Sequence, residues 1–284
     1  MRKKTRVIVG LLVSLGLVYA CASGNGTLIE EGKFLMDSCK PTDATTLDGC
    51  RTTLEKMDEI QTTDPNNIDA AVLESSAHLG LAGFNSLKLG ARLTGLTNDN
   101  QDDFLEFRLL VTDTEIENGR EIDLAELDAS KKPLTDVLTG ITPDETNKAA
   151  FFQLGMLQGV DSFIRPVKIA GVGAMNVAKI DATTTTTVKE DFLNADNNMI
   201  ASGTTKDDIL RPLRENYCRC SLQTPLGATA GYTAPCLRDL MRCTLSGTAM
   251  PEQDYNGDGA LSLGDCTTLR TPTALSTCGG QDTK

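Results

Sequence analysis

Between residues 47 and 81 the apolar positions of this chain recur in steps of three and four. Leu47, Cys50, Leu54, Met57 and Ile60 form one series, and at 3.6 residues per turn such a series lines a single face of a helix. Asp64-Pro65-Asn66-Asn67 breaks the pattern, which resumes from Ile68 to about Leu81 and predicts a second helix. Ser130 to Thr139, with Gly140 behind it, predicts another helix closed by glycine. Thr142-Pro143-Asp144-Glu145 has the form of a capping box with proline at the first helical position. It predicts a helix whose core stripe is Ala149, Phe152, Met156, Val160 and Phe163. Asp181-Ala182 and the threonines 183–187 form a polar low-complexity run, expected as a linker and a soft domain boundary. The expected fold class is therefore mostly α: a helical bundle or repeat-like helix pairs, followed by a disulfide-rich C-terminal region. With no tryptophan and 4% aromatics, the core must be built mainly from Leu, Ala, Val and Ile.

The first twenty residues depart from this pattern. Arg2, Lys3, Lys4 and Arg6 precede an apolar stretch from Val7 to Val18. A membrane span needs about 20 apolar residues, so this stretch suits the h-region of a signal peptide. It runs into Val18-Tyr19-Ala20-Cys21, which resembles the lipobox of bacterial lipoproteins, although Tyr19 is bulkier than the residue usual there. The resemblance implies lipidation of Cys21, cleavage before it, and attachment to a membrane of the bacterial cell envelope by lipid. The expected organisation is a signal peptide over 1–20, a small polar tether over 21–35, a helical domain over 36–180 and a cysteine-rich region over 188–284.

Cysteine and charge counts extend this reading. Of nine cysteines, setting Cys21 aside leaves Cys39, Cys50, Cys218, Cys220, Cys236, Cys243, Cys266 and Cys278. An even number in an exported chain points to disulfides, and an oxidising route argues against a zinc site at Cys218-Arg219-Cys220. Cys236 and Cys243 lie seven residues apart on an expected helix, roughly 10 Å at its rise per residue, so each needs a partner elsewhere. Cys39 is expected to pair locally with Cys50. Cys218 and Cys220 then take partners among Cys236, Cys243, Cys266 and Cys278. Cleavage before Cys21 would remove Arg2, Lys3, Lys4 and Arg6 and take the formal charge from −12 to −16. Such a surface repels nucleic acid and anionic lipid headgroups, leaving the lipid as the membrane attachment.

The densest chemistry lies near the C-terminus. Asp254, Asn256, Asp258, Ala260, Ser262 and Asp265 stand at positions 1, 3, 5, 7, 9 and 12 of a twelve-residue stretch, with Gly259 at position 6. That spacing places oxygen ligands around Ca²⁺, Ala260 through its backbone carbonyl and Ser262 directly or through water. Leu261, at position 8, is expected to point into the core beside the loop. The stretch resembles EF-hand loops and, more closely, the calcium loops of dockerin modules, in which Asp often closes position 12. It departs from both, because Pro251 stands where an incoming helix would run and no second good copy is present. The resemblance implies a calcium site, weak at roughly 10⁻⁴ to 10⁻³ M as in extracellular modules. Cys266 follows the last ligand directly, so a disulfide there would brace the loop.

Elsewhere the chain offers less. The helix, Asp-Pro-Asn-Asn turn and helix over residues 47–81 loosely resemble one tetratricopeptide unit, without the large aromatic positions and without a second copy. Glu115–Glu126 fails as a calcium loop because aligning Ile122 with position 8 puts Arg120 at the turn; a polar loop leading into a helix is expected. His78 is the only histidine and lies in an expected helix, so a Ser–His nucleophile would rest on it alone. There is no His-Glu-x-x-His zinc motif, and Gly171-Val172-Gly173-Ala174-Met175-Asn176 breaks a dinucleotide fingerprint at its third glycine. The reading that emerges is an exported, lipid-anchored, calcium-binding, non-enzymatic binding or scaffold protein of the cell envelope with an unidentified protein partner. Its rivals are an accessory lipoprotein of an envelope transport system and a calcium-supported envelope hydrolase.

Overall fold

The structure is a computed structural model, described over residues 25–41, 47–85, 89, 103–171, 176–204, 220, 234–246 and 250–270. The signal segment 1–20, the lipidation position Cys21, and Cys218 and Cys278 lie outside the described residues. Among the described residues there are nine α-helices and no strand: α1 Asn25–Met36, α2 Asp48–Thr63, α3 Ile68–Ala82, α4 Asp103–Asn118, α5 Leu124–Leu138, α6 Lys148–Ala170, α7 Ala182–Ala201, α8 Ala234–Leu245 and α9 Leu263–Arg270. A short 3₁₀ turn, Val177–Lys179, precedes α7. The expected mostly α fold is the observed one.

Local chemistry sets many of the helix boundaries. Asn67 caps α3 by accepting the Ala70 N–H at 3.0 Å, and its own amide is held by Asp64 at 3.0 Å. That is how the Asp-Pro-Asn-Asn break turns α2 into α3. At the far end of α3, Gly83 takes φ 110° and returns its N–H to the carbonyls of Leu79 and Gly80, a left-handed stop that glycine reaches without strain. Asp123 caps α5 through the N–H groups of Ala125 and Glu126. Asp181 caps α7 through the N–H and hydroxyl of Thr184.

Five sequence-based expectations are corrected here. The tether expected to reach residue 35 is helical from Asn25, and α1 buries Ile29 and Gly32 against α2 and α3. The threonine run is helix, not linker: Asp181 starts α7, and Thr185, Thr186 and Thr187 each return a hydroxyl to the carbonyl four residues back. The helix expected to open at Thr142 starts a turn later, at Lys148, because Asp144 accepts the N–H groups of Thr146 and Asn147 in a tight turn of its own. Its buried stripe is also rotated over the first two turns, while Val160 and Phe163 are buried as expected. Ala149 is exposed and Phe152 and Met156 are half-buried, whereas Ala150, Phe151, Leu154 and Leu157 are buried. The fifth correction, at Leu261, belongs to the calcium-type loop described below.

Helix α6 is the axis of the structure. It packs on α4, α5 and α7, touches α3, and from Leu157 to Val167 every residue is buried. It comes close to α7 at Gly155, where a Cβ would stand 3.1 Å from the Ala195 carbonyl oxygen and 3.2 Å from the Met199 nitrogen. Helices α3 and α5 pack closely, and the Ser75 hydroxyl donates to the Ser130 carbonyl across that seam. Pro133 lies one turn further along α5; it lacks an N–H and disturbs the helix's own ladder. One apolar cluster runs without interruption from Ala71 in α3 through α5, α6, α7 and α8 to Leu269 in α9. Residues on both sides of 181–187 therefore share one core.

Candidate functional site

The calcium-type loop hangs between α8 and the start of α9, and α9 begins inside it at Leu263. No helix runs directly into it: residues 250–254 are irregular, in keeping with Pro251. The first half is a series of side chain-to-backbone turns. Asp254 accepts the N–H groups of Gly257 and Gly259, each at 2.7 Å. Asn256 accepts the Asp258 N–H at 2.9 Å, and Asp258 accepts the Ala260 N–H at 2.8 Å. The Asn256 amide reaches the Asp258 carboxylate at 3.1 Å, setting positions 3 and 5 side by side. Gly257 and Gly259 take φ 76° and 84°, the left-handed region that favours glycine.

Asp265 behaves differently. It is fully buried. One carboxylate oxygen accepts the N–H groups of Tyr255 at 2.6 Å and Asn256 at 2.9 Å; the other accepts the Ser262 N–H at 2.8 Å and its hydroxyl at 3.3 Å. Burial works to raise this carboxyl, but the donated bonds from Asn256, Ser262 and Tyr255 outweigh it and hold it below the usual aspartate value. Position 12 thus clips the two ends of the loop together from inside. Leu261, expected in the core, is half exposed at 50%. Its place beside the loop is taken by Tyr255, which is buried and donates its hydroxyl to Asp239 of α8 at 3.0 Å.

In kind, the donor set suits calcium: carboxylates, an amide, a hydroxyl and a carbonyl, all oxygen. In arrangement only the first half fits. The oxygens of Asp265 are taken by four donors, and among the described residues no group of three or more His, Cys, Asp or Glu side chains is placed to hold a metal ion. The stem beneath the loop is covalent. Cys266 is bonded to Cys243 of α8, with Cα atoms 5.3 Å apart, and Cys236 on the same helix is bonded to Cys220, at 5.5 Å. Near the N-terminus Cys39 is bonded to Cys50, at 4.8 Å. That bridge rests on Gly80 of α3, where a Cβ would collide with both sulfurs.

A second polar constellation lies in the core and was not singled out from the sequence. Lys131 of α5 donates to Asp161 of α6 at 2.7 Å, to Asp191 of α7 at 2.8 Å, and pairs with Asp128 at 2.9 Å. Arg165 donates to Asp161 at 2.7 Å and 3.0 Å and to Asp128 at 2.5 Å. Asp161 is fully buried, and Lys131, Arg165 and Asp191 nearly so, while Asp128 is half exposed. Burial, and then the neighbouring Asp161, push the Asp191 carboxyl up to about 7. Burial also opposes ionisation of Asp161, but the Lys131 charge, a hydrogen bond with Asp191 and Arg165 overcome it and hold that carboxyl below its usual value. The sequence traces of this group are the Asp161–Arg165 spacing of four and the Asp128–Lys131 spacing of three, each of which puts a pair on one helical face. The remaining member, Asp191, comes from α7.

Two further candidates resolve simply. The Nδ1 atom of His78 lies 2.7 Å from the Glu126 carboxylate, joining α3 to the first turn of α5. A cavity of about 200 Å³ lies among Phe84, Leu89, Leu110, Lys40, Glu117 and Asn118, smaller than the roughly 300–1,000 Å³ usual for small-molecule sites. No described helix is long and apolar enough to cross a membrane. Compared with known protein families, curated proteins and solved structures, the chain matches none.

Proposed function

We propose that this chain is an exported, lipid-anchored, non-enzymatic binding or scaffold protein of the bacterial cell envelope, whose C-terminal region is braced by disulfides and a calcium loop. The observation that carries the reading is the set of three disulfides among the described residues, each joining segments of the helical core. Disulfides in such number belong to oxidising compartments, and this agrees with the export and lipidation signals ending at Cys21. The acidic charge supports a protein or cation partner over nucleic acid. The Asx turns of Asp254, Asn256 and Asp258 support calcium binding, with Asp265 releasing donors as the ion is bound.

The hydrolase reading has one specific observation in its favour, the raised carboxyl of Asp191 beside Asp161. Both carboxylates are held by Lys131, and Asp161 also by Arg165, inside packed helices, so a substrate has no free carboxylate to meet. The scaffold reading is the stronger. Palmitate labelling of the protein in its native host should mark the wild type and be lost on Cys21→Ser; equal labelling of both removes the anchor. Cross-linking in the native membrane should then recover a protein partner. Calcium at about 1–5 mM, well above the expected dissociation constant, should raise the melting temperature relative to chelator. An unchanged melt removes calcium from the proposal.

A further inference from the structure

The buried group that joins α5, α6 and α7 holds three carboxylates, Asp128, Asp161 and Asp191, against two cations, Lys131 and Arg165. Fully ionised, it carries one negative charge too many. The excess sits at a definable place. Lys131 and Arg165 both bind one oxygen of Asp161, Oδ2. The other, Oδ1, is buried and receives no donor, and an unmatched buried acceptor is costly. Asp191 is brought beside Asp161 by Lys131, whose Nζ lies 2.7 Å from Asp161 Oδ2 and 2.8 Å from Asp191 Oδ2.

We propose that Asp161 and Asp191 share one proton, which ties α7 to α6 and makes their packing a pH-sensitive lock, closed when the proton is bound and loosened when it leaves. Held between Asp191 and Asp161, the proton adds a donor to a pair of carboxylates that otherwise only accept, and brings the group to neutrality. Lost, it leaves two buried carboxylates facing each other across Lys131, which must then serve both. The other charges around Asp191 do not compensate. Asp128 and Lys131 are the groups facing it from α5, and Asp161 and Arg165 those from α6. On α8, Arg238 and Arg242 pair with Glu252, and Asp239 accepts from the Glu252 N–H and the Tyr255 hydroxyl.

The direction of the pH effect follows. A carboxyl that holds its proton more tightly when folded than when unfolded stabilises the fold fully below its unfolded pKa, about 3.9. That contribution declines as pH rises toward about 7, where folded Asp191 titrates, and is gone above it. Asp161 shifts the opposite way, so its own contribution is present above about 3.9 and lost only in stronger acid.

Asp191→Asn is the test, because an amide donates at Asp161 permanently and carries no charge. Thermal melts of the full chain at pH 5, 6, 7 and 8 should show the variant level with wild type at pH 5 and ahead by several degrees at pH 8. A gap that does not change with pH, or a variant that falls behind as pH rises, overturns the proposal. Should Asp191→Asn fail to fold, carbon-13 titration of the wild-type carboxyls decides: a resonance of Asp191 moving between pH 6 and 8 supports the shared proton, and one complete below pH 5 overturns it.

Discussion

Asp265→Ala, melted with a calcium chelator and with calcium, separates two roles of this carboxylate, brace and ligand. The carboxylate is fully buried and accepts three backbone N–H groups, from Tyr255, Asn256 and Ser262, besides the Ser262 hydroxyl. A hydrogen bond to a charged acceptor contributes about 1.5–3 kcal/mol net. The Tyr255 N–H is buried and would be left without a partner, at about 2–3 kcal/mol. Asn256 is exposed and Ser262 half-buried, so their N–H groups can recover part of their loss from water, leaving about 0.5–1 kcal/mol each. The sum is about 4 kcal/mol. At roughly 2–4 °C per kcal/mol for a chain of this size, the melting temperature should fall by about 8–16 °C with a calcium chelator present. The assay is a thermal melt by circular dichroism, with chelator and with millimolar calcium, at several pH values. Because the folded carboxyl is held below its ordinary value, its stabilisation is present above about pH 3.9 and is lost as pH falls through the lowered folded value. The gap between wild type and variant should therefore hold from pH 8 to 5 and close only in stronger acid. If the variant melts with the wild type in chelator and differs only in calcium, the bracing role is refuted and Asp265 is a ligand alone.

Three further outcomes follow from the packing. Gly155→Ala places a Cβ about 3.1–3.2 Å from the Ala195 carbonyl and the Met199 nitrogen, so α6 and α7 must separate; a loss of about 1–3 kcal/mol in urea unfolding is expected. Asn67→Ala removes the cap that holds the Ala70 N–H and should lower stability by about 1 kcal/mol, whereas Asn67→Asp, which keeps the acceptor, should lose far less. Replacing Cys39 and Cys50 together with Ser frees a loop closed over a separation of 11 residues. The expected loss is about 2–3 kcal/mol, and reductant should then have a smaller effect on the variant's melt than on the wild type's.

What could be read from the chain itself is what depends on near neighbours. Asn67 caps a helix because its side chain reaches an N–H three residues on, and the α2 series from Leu47 to Ile60 lies on one face because of helical pitch alone. The same reasoning excluded a Cys236–Cys243 bridge and favoured Cys39 with Cys50, as is observed. Local reading failed where a local signal had two outcomes. The threonine run could serve as linker or helix, and the cap at Asp181 together with burial of Thr185 and Val188 against α6 chose helix. Thr142–Glu145 looks like a helix start, but the Asp144 turn delays it.

The tertiary structure decided the rest, because it depends on which surfaces meet. Spacing offered Asp265 as a closing ligand, and only the fold shows its carboxylate committed to backbone donors from both ends of the loop. Tyr255 takes the core place there that was expected of Leu261, because Asp239 on α8 offers its hydroxyl a buried partner. The sequence separations of 30 and 60 between Lys131 and its two buried carboxylates leave no periodic trace, since no local rule links residues on different helices. Composition, pitch and capping determined that this chain would be helical. Burial, which raises the electrostatic stakes of every unmatched charge, decided where its most consequential chemistry lies.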